Sequence, residues 1–132
     1  VKKIIKRVIS FTVLILFGAV ILGFLYLSTG LDLERQPEIL GVDPSKQSDG
    51  TYTGHYKGGR WTNDIAVTIS DGKIVGIEVV EDVTFPKEET SDILFRRVLV
   101  QQTTAVDTVS GATVTSKAYL KAIENALTNQ TP

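Results

Sequence analysis

Between Asp107 and Lys117 the chain reads DTVSGATVTSK, directly ahead of a strongly periodic helical stretch. An acid, a run of small hydroxyl side chains, a glycine and an alanine make a candidate oxyanion cradle. The hydroxyls of Ser110, Thr113, Thr115 and Ser116 can donate to phosphate oxygens. Gly111 admits positive φ and close approach of the backbone to a ligand, and Ala112 adds little bulk. The free N–H groups of a helix N-terminus, with the helix dipole behind them, favour a negative charge. Lys117 falls in the first helical turn, where the dipole disfavours a cation, and a bound phosphate would reverse that penalty. A threonine hydroxyl in this setting is also a candidate for esterification. The competing reading needs no ligand: Thr115 or Ser116 is a helix N-cap, and Asp107 closes an Asx-turn.

Several elements must hold this loop. After it, Tyr119, Leu120, Ile123, Ala126 and Leu127 recur on one helical side. Lys117, Lys121, Glu124, Asn125 and Thr128 fall on the other. Before it, KEETSDILFRRVLVQQ places acids early and basics late, as a helix dipole prefers, with Ile93, Leu94, Val98 and Leu99 as its apolar stripe. Further upstream the period is two. In DIAVTIS, Ile65, Val67 and Ile69 point one way; Asp71-Gly72 is a type I′ hairpin signal; and the return strand sets Val75, Ile77 and Val79 on one face. GTYTGHYKGG supplies an earlier strand, with Tyr52, Gly54 and Tyr56 on one side and His55 on the other. Strands followed by helices predict an α+β fold, a small antiparallel sheet with helices on one face. Trp61, the only tryptophan, follows in a loop. It is a candidate to stack on a ligand ring or to pack over the sheet edge. Glu88 and Glu89 read as a helix first turn without chemistry.

The N-terminal part is of another kind. Residues 8–27 carry no charge, and about 20 apolar residues cross a bilayer. Lys2, Lys3, Lys6 and Arg7 precede the run and every acid follows it. The positive-inside rule then predicts a cytoplasmic N-terminus and an extracytoplasmic remainder. A cleaved signal peptide is the alternative, but the run exceeds a ~7–15-residue signal core and no A-x-A site follows. The expected organisation is a basic stub and transmembrane anchor at 1–30, a linker at 31–48 rich in Pro, Gly and charge, and a domain at 49–132; the alternative for the linker is an extra element docked on the domain through Ile39, Leu40 and Val42. After position 30, ten basic residues face fifteen acidic ones, a net −5 that argues against nucleic-acid binding. The sequence contains no cysteine and one histidine, which removes disulfides, thiolate metal sites and a multi-histidine zinc site. Redox chemistry would need an organic cofactor.

The pattern Asp107-x-x-Ser110-Gly111-Ala112-Thr113, followed by Thr115-Ser116, resembles the attachment motif of the bacterial FMN-binding domain family. That family includes the C subunit of the sodium-translocating NADH:quinone reductase and the G subunit of the Rnf complex. DGTYTGHYKGG is similar to its first strand and DGKIVGIEVVED to its hairpin, so the resemblance covers Asp49 to Leu127. It implies that a flavin transferase, dependent on FAD and Mg²⁺, places FMN on Thr113 as a phosphoester. Asp107, Ser110, Gly111 and Ala112 would form the recognition pattern. Asp107 would orient the hydroxyl or hold the transferase's Mg²⁺, and Ser110, Thr115, Ser116 and Lys117 would surround the phosphate. The implied role is a membrane-anchored, extracytoplasmic electron carrier rather than a stand-alone catalyst. The elaborations of the complex subunits are missing from this stretch. The alternatives are reversible binding of FMN or another phosphorylated ligand, and a structural module of the envelope.

Overall fold

A computed structural model describes residues 1–28 and 36–128. Its elements are α1 (Lys2–Ser28), β1 (Gly50–Tyr56), β2 (Asn63–Ser70), β3 (Lys73–Glu81), α2 (Glu88–Gln101) and α3 (Thr113–Thr128), with short 3₁₀ turns at Pro44–Lys46 and Gly59–Trp61. The expected α+β layout is present: an antiparallel sheet in the order β1-β2-β3, with helices packed on it. Helix α1 has no buried residue and is long and apolar enough to cross a membrane. The expected anchor–linker junction at residue 30 lies outside the described residues.

β2 is the centre of the sheet. Its alternate residues from Asn63 to Ile69 are buried, because one sheet face meets α3. Asp71 and Gly72 both have positive φ, as a type I′ turn requires, so this hairpin forms as its sequence indicates. β3 departs from simple alternation. Ile69 pairs with Ile74 while Thr68 pairs with Gly76, so Val75 is an extra residue in a β-bulge. Val75 is therefore exposed, and Ile74 takes the core position expected of it; Ile77 and Val79 keep their inward side. Tyr52 and Tyr56 pack against the core as partly buried residues.

Helix α3 lies across β1 and β2 at very short range, and Gly54 is the reason it can. A Cβ at Gly54 would sit 1.9 Å from the Ala122 carbonyl oxygen and 2.3 Å from the Ala126 nitrogen. The expected stripe of Tyr119, Leu120, Ile123, Ala126 and Leu127 is buried. Glu124, expected on the solvent side, is buried as well. Its Oε1 accepts from the N–H groups of Leu40 and Gly41 at 2.9 and 2.8 Å and from the Thr104 hydroxyl at 2.9 Å. Lys121 donates to its other oxygen at 3.0 Å. A buried carboxylate is held only when it is paired and hydrogen-bonded in this way. The stretch expected to be a tether thus contributes packed chain: Ile39 and Val42 rest on the core, Pro44 is buried, and Gln47 donates to the Leu127 carbonyl at 2.8 Å.

On α2, Thr90, Leu94 and Val98 form the buried line, while Ile93 is only half-buried and Leu99 packs against the core edge. Glu88 and Glu89 occupy the first turn as read, but no basic residue sits in the last turn. The helix ends on Gln102 in a left-handed conformation. The Gln102 side chain then bonds the N–H and carbonyl of Ile74 at 2.7 and 2.9 Å, tying α2 to the bulge. His55 is exposed and pairs with Asp64 across the strands.

Candidate functional site

The hydroxyl-rich loop enters α3 earlier than its sequence suggested. Helical conformation begins at Thr113, and the Ala112 carbonyl accepts from the Ser116 N–H at 2.8 Å. Ala112 therefore stands at the N-cap, and Thr115 and Ser116 belong to the first turn. Gly111 has φ +76°, with open space where a Cβ would be. A left-handed residue there turns the chain so that Thr113 emerges as the first helical residue, exposed to solvent. Among the described residues, the N–H groups of Thr113, Val114 and Thr115 find no acceptor.

These groups open onto a cavity of about 540 Å³. One wall is the loop and first turn, Gly111 to Thr115. The other is built from Arg60 and Trp61 of the 3₁₀ turn and from Val83, Phe85 and Lys87 of the segment joining β3 to α2. A smaller cavity of about 60 Å³ continues between the two helix starts, bounded by Lys87, Thr90, Ala112 and Thr115. Among the described residues no acidic side chain lines either space. Two cations and two helix N-termini converge there, within a domain region whose net charge is negative. The volume lies in the ~300–1,000 Å³ range of small-molecule sites.

Trp61 is 7% exposed and belongs to the core, which settles its packing role. It also borders the cavity, and its indole N–H donates to the Thr115 hydroxyl at 3.2 Å. The Arg60 guanidinium lies over its ring, 4.2 Å from the centroid. The Arg60 Nε is cut off from water and has no hydrogen-bond partner. An unpaired buried donor on a charged group is costly.

The sequence-derived residues divide into two groups. Gly111, Ala112, Thr113 and Thr115 line the cavity together. Ser116 does not: it is fully buried, and its hydroxyl accepts from the Val109 N–H at 3.0 Å, bracing the loop from behind. Ser110 and Asp107 are exposed and are not part of the cavity wall. Asp107 is held through its backbone, whose carbonyl accepts from Arg97 at 2.7 Å, as the Thr108 carbonyl does at 3.1 Å. Lys117 is half-buried and outside the cavity lining. Arg60, Val83, Phe85 and Lys87 were not singled out from the sequence. Phe85 in TFPKEE, an aromatic stranded between a strand and a helix start, was the one available signal; it is 61% exposed.

A phosphorylated aromatic group fits these residues. Free N–H groups, Arg60 and Lys87 suit an anion, and Trp61, Phe85 and Val83 suit a planar apolar ring. Comparison with known proteins points the same way. Over 98 residues, 71% of the chain, it is 33% identical to an NADH:acrylate oxidoreductase from Vibrio harveyi, of whose length it spans about a tenth. Residues 58–128, from the 3₁₀ turn through the end of α3, match the FMN-binding domain. The chain carries an FMN-binding domain and belongs to that family.

Proposed function

We propose that the protein is a membrane-anchored, extracytoplasmic electron carrier with FMN joined to Thr113 through a phosphoester. The observation that carries this reading is that Thr113, the first residue of α3, is exposed and lines a cationic, aromatic cavity. An FAD-dependent transferase would form the bond between the Thr113 oxygen and the FMN phosphorus and break the bond to AMP, which leaves. The hydroxyl proton is released with it. The exposed Asp107 and Ser110 are then surfaces for the transferase, and Gly111 and Ala112 allow its approach. Bound FMN supplies one- and two-electron transfer. The chain's own residues hold and position it: the first-turn N–H groups and Thr115 at the phosphate end, Trp61, Val83 and Phe85 against the ring.

An ester bond suits an exported protein, since a cofactor that cannot dissociate needs no external pool. The name of the Vibrio harveyi relative places a domain of this kind in a redox enzyme. Helix α1 is apolar enough to be the anchor, and its basic N-terminal residues favour a cytoplasmic end. Tyr26 near the end of α1 lies 3.4 Å from Thr84, next to Phe85 of the cavity. That proximity favours electron exchange close to the membrane surface.

The test is expression of the whole chain with a flavin transferase, followed by denaturing electrophoresis. Flavin fluorescence that survives denaturation and vanishes in Thr113→Ala supports the ester. Fluorescence lost on denaturation of the unsubstituted protein would replace it with reversible FMN binding. Fluorescence retained in Thr113→Ala would move the attachment to another residue.

A further inference from the structure

Among the described side chains that line the cavity, Arg60 carries the buried polar atom without a partner. Its Nε is buried without an acceptor, and its guanidinium is parked on the Trp61 ring at 4.2 Å from the centroid. Among the described residues no carboxylate lines the cavity to pair with it. The Trp61 N–H is tied to Thr115 at 3.2 Å, which joins the wall that bears Arg60 to the first turn of α3. Lys87, the other cation, is exposed on a flexible stem at the N-cap position of α2. A planar guanidinium with a donor already stripped of water is the better-organised partner for an oxyanion.

Resting on the reading of the cavity as a flavin site, we propose that Arg60 is the residue that selects a phosphorylated flavin over its unphosphorylated form. Its guanidinium donates to the ligand's phosphate, and Nε gains the acceptor it lacks. Leaving the Trp61 face, it frees an aromatic surface for the ligand's ring. The neutral flavin, riboflavin, offers the same ring and no phosphate, so it draws on the aromatic wall alone.

The experiment uses the whole chain in detergent, produced without a flavin transferase, titrated with FMN and with riboflavin. Binding is read from quenching of flavin fluorescence and from emission of Trp61, the only tryptophan. The unsubstituted protein is expected to prefer FMN. Arg60→Gln is expected to reduce FMN affinity roughly tenfold or more and to leave riboflavin affinity within about twofold. Arg60→Lys, which keeps the charge without the fork, is expected to fall between them for FMN and to leave riboflavin unchanged. Equal losses for both ligands in both variants, or no loss in either, would overturn the role given to Arg60. An unsubstituted protein that responds to neither ligand would instead overturn the flavin reading of the cavity.

Discussion

Gly54→Ala tests the contact that holds the site-bearing helix on the sheet. The new Cβ would lie 1.9 Å from the Ala122 oxygen, 2.3 Å from the Ala126 nitrogen and 2.8 Å from the Ala126 Cα. All three are backbone atoms, so no change of rotamer relieves the overlap. Contacts of a real Cβ do not fall below 3.0 Å, so α3 must retreat by about 1.1 Å from β1. A gap of ~0.5–1 Å already forfeits a quarter to a half of a dispersion contact. Tyr119, Leu120 and Ile123 are all buried on this helix and lose part of their packing together. The cost is about 3 kcal/mol, the upper end of overpacking, against a total stability of roughly 5–15 kcal/mol. In a domain of 60–100 residues each kcal/mol moves Tm by ~4–8 °C, so a fall of about 12–24 °C is expected. Thermal unfolding of the whole chain in detergent, followed by Trp61 emission, measures it. A fall of less than about 4 °C would mean that α3 does not rest on β1 at this glycine, and the close strand–helix approach would have to be abandoned.

Two further outcomes follow from buried polar groups. Glu124→Ala removes the acceptor for Leu40, Gly41 and Thr104 and the partner of Lys121. It is expected to cost about 3 kcal/mol in urea unfolding. The Leu40 and Gly41 amides should also lose their protection from hydrogen exchange; unchanged protection would show that segment 39–42 is held by something else. Tyr119 is expected to shift the alkaline limit of stability. Burial, then its hydrogen bond to Asp82 at 2.5 Å and the charge of Asp82, push its phenol far above the usual tyrosine range. The folded state therefore keeps a proton that the unfolded chain releases at high pH. That contribution is whole below the ordinary tyrosine pKa of about 10 and declines as pH rises past it. Tyr119→Phe should flatten the alkaline decline in Tm, and an unchanged profile would rule out this origin.

Much of the frame was legible because the signals were local. Alternation in DIAVTIS set which side of β2 is buried, since successive side chains point to opposite faces. Asp71-Gly72 named its turn because positive φ at both positions admits few residue types. The uncharged run at residues 8–27 announced α1 by length alone. The hydroxyl-rich stretch up to Thr115 was visible as one short piece of chain, and Gly111, Ala112, Thr113 and Thr115 line the cavity. Where local reading misled, a long-range contact was the cause. Val75 left the core because β3 bulges against β2. Ser116 and Glu124 are buried because they serve the loop at Val109 and the chain at Leu40 and Gly41.

The sequence by itself determined the residue types able to receive a phosphate, the order of strands and helices, and the apolar segment that precedes them. Only the tertiary structure decided what faces Thr113. Arg60, Trp61, Phe85 and Lys87 reach the cavity from two segments distant in sequence, brought there by β2 pairing on both edges and by α3 lying against the sheet. Periodicity reports which side of an element is apolar, and a motif reports one strand of backbone. Neither carries the distances between elements, and those depend on side-chain volumes such as the missing one at Gly54.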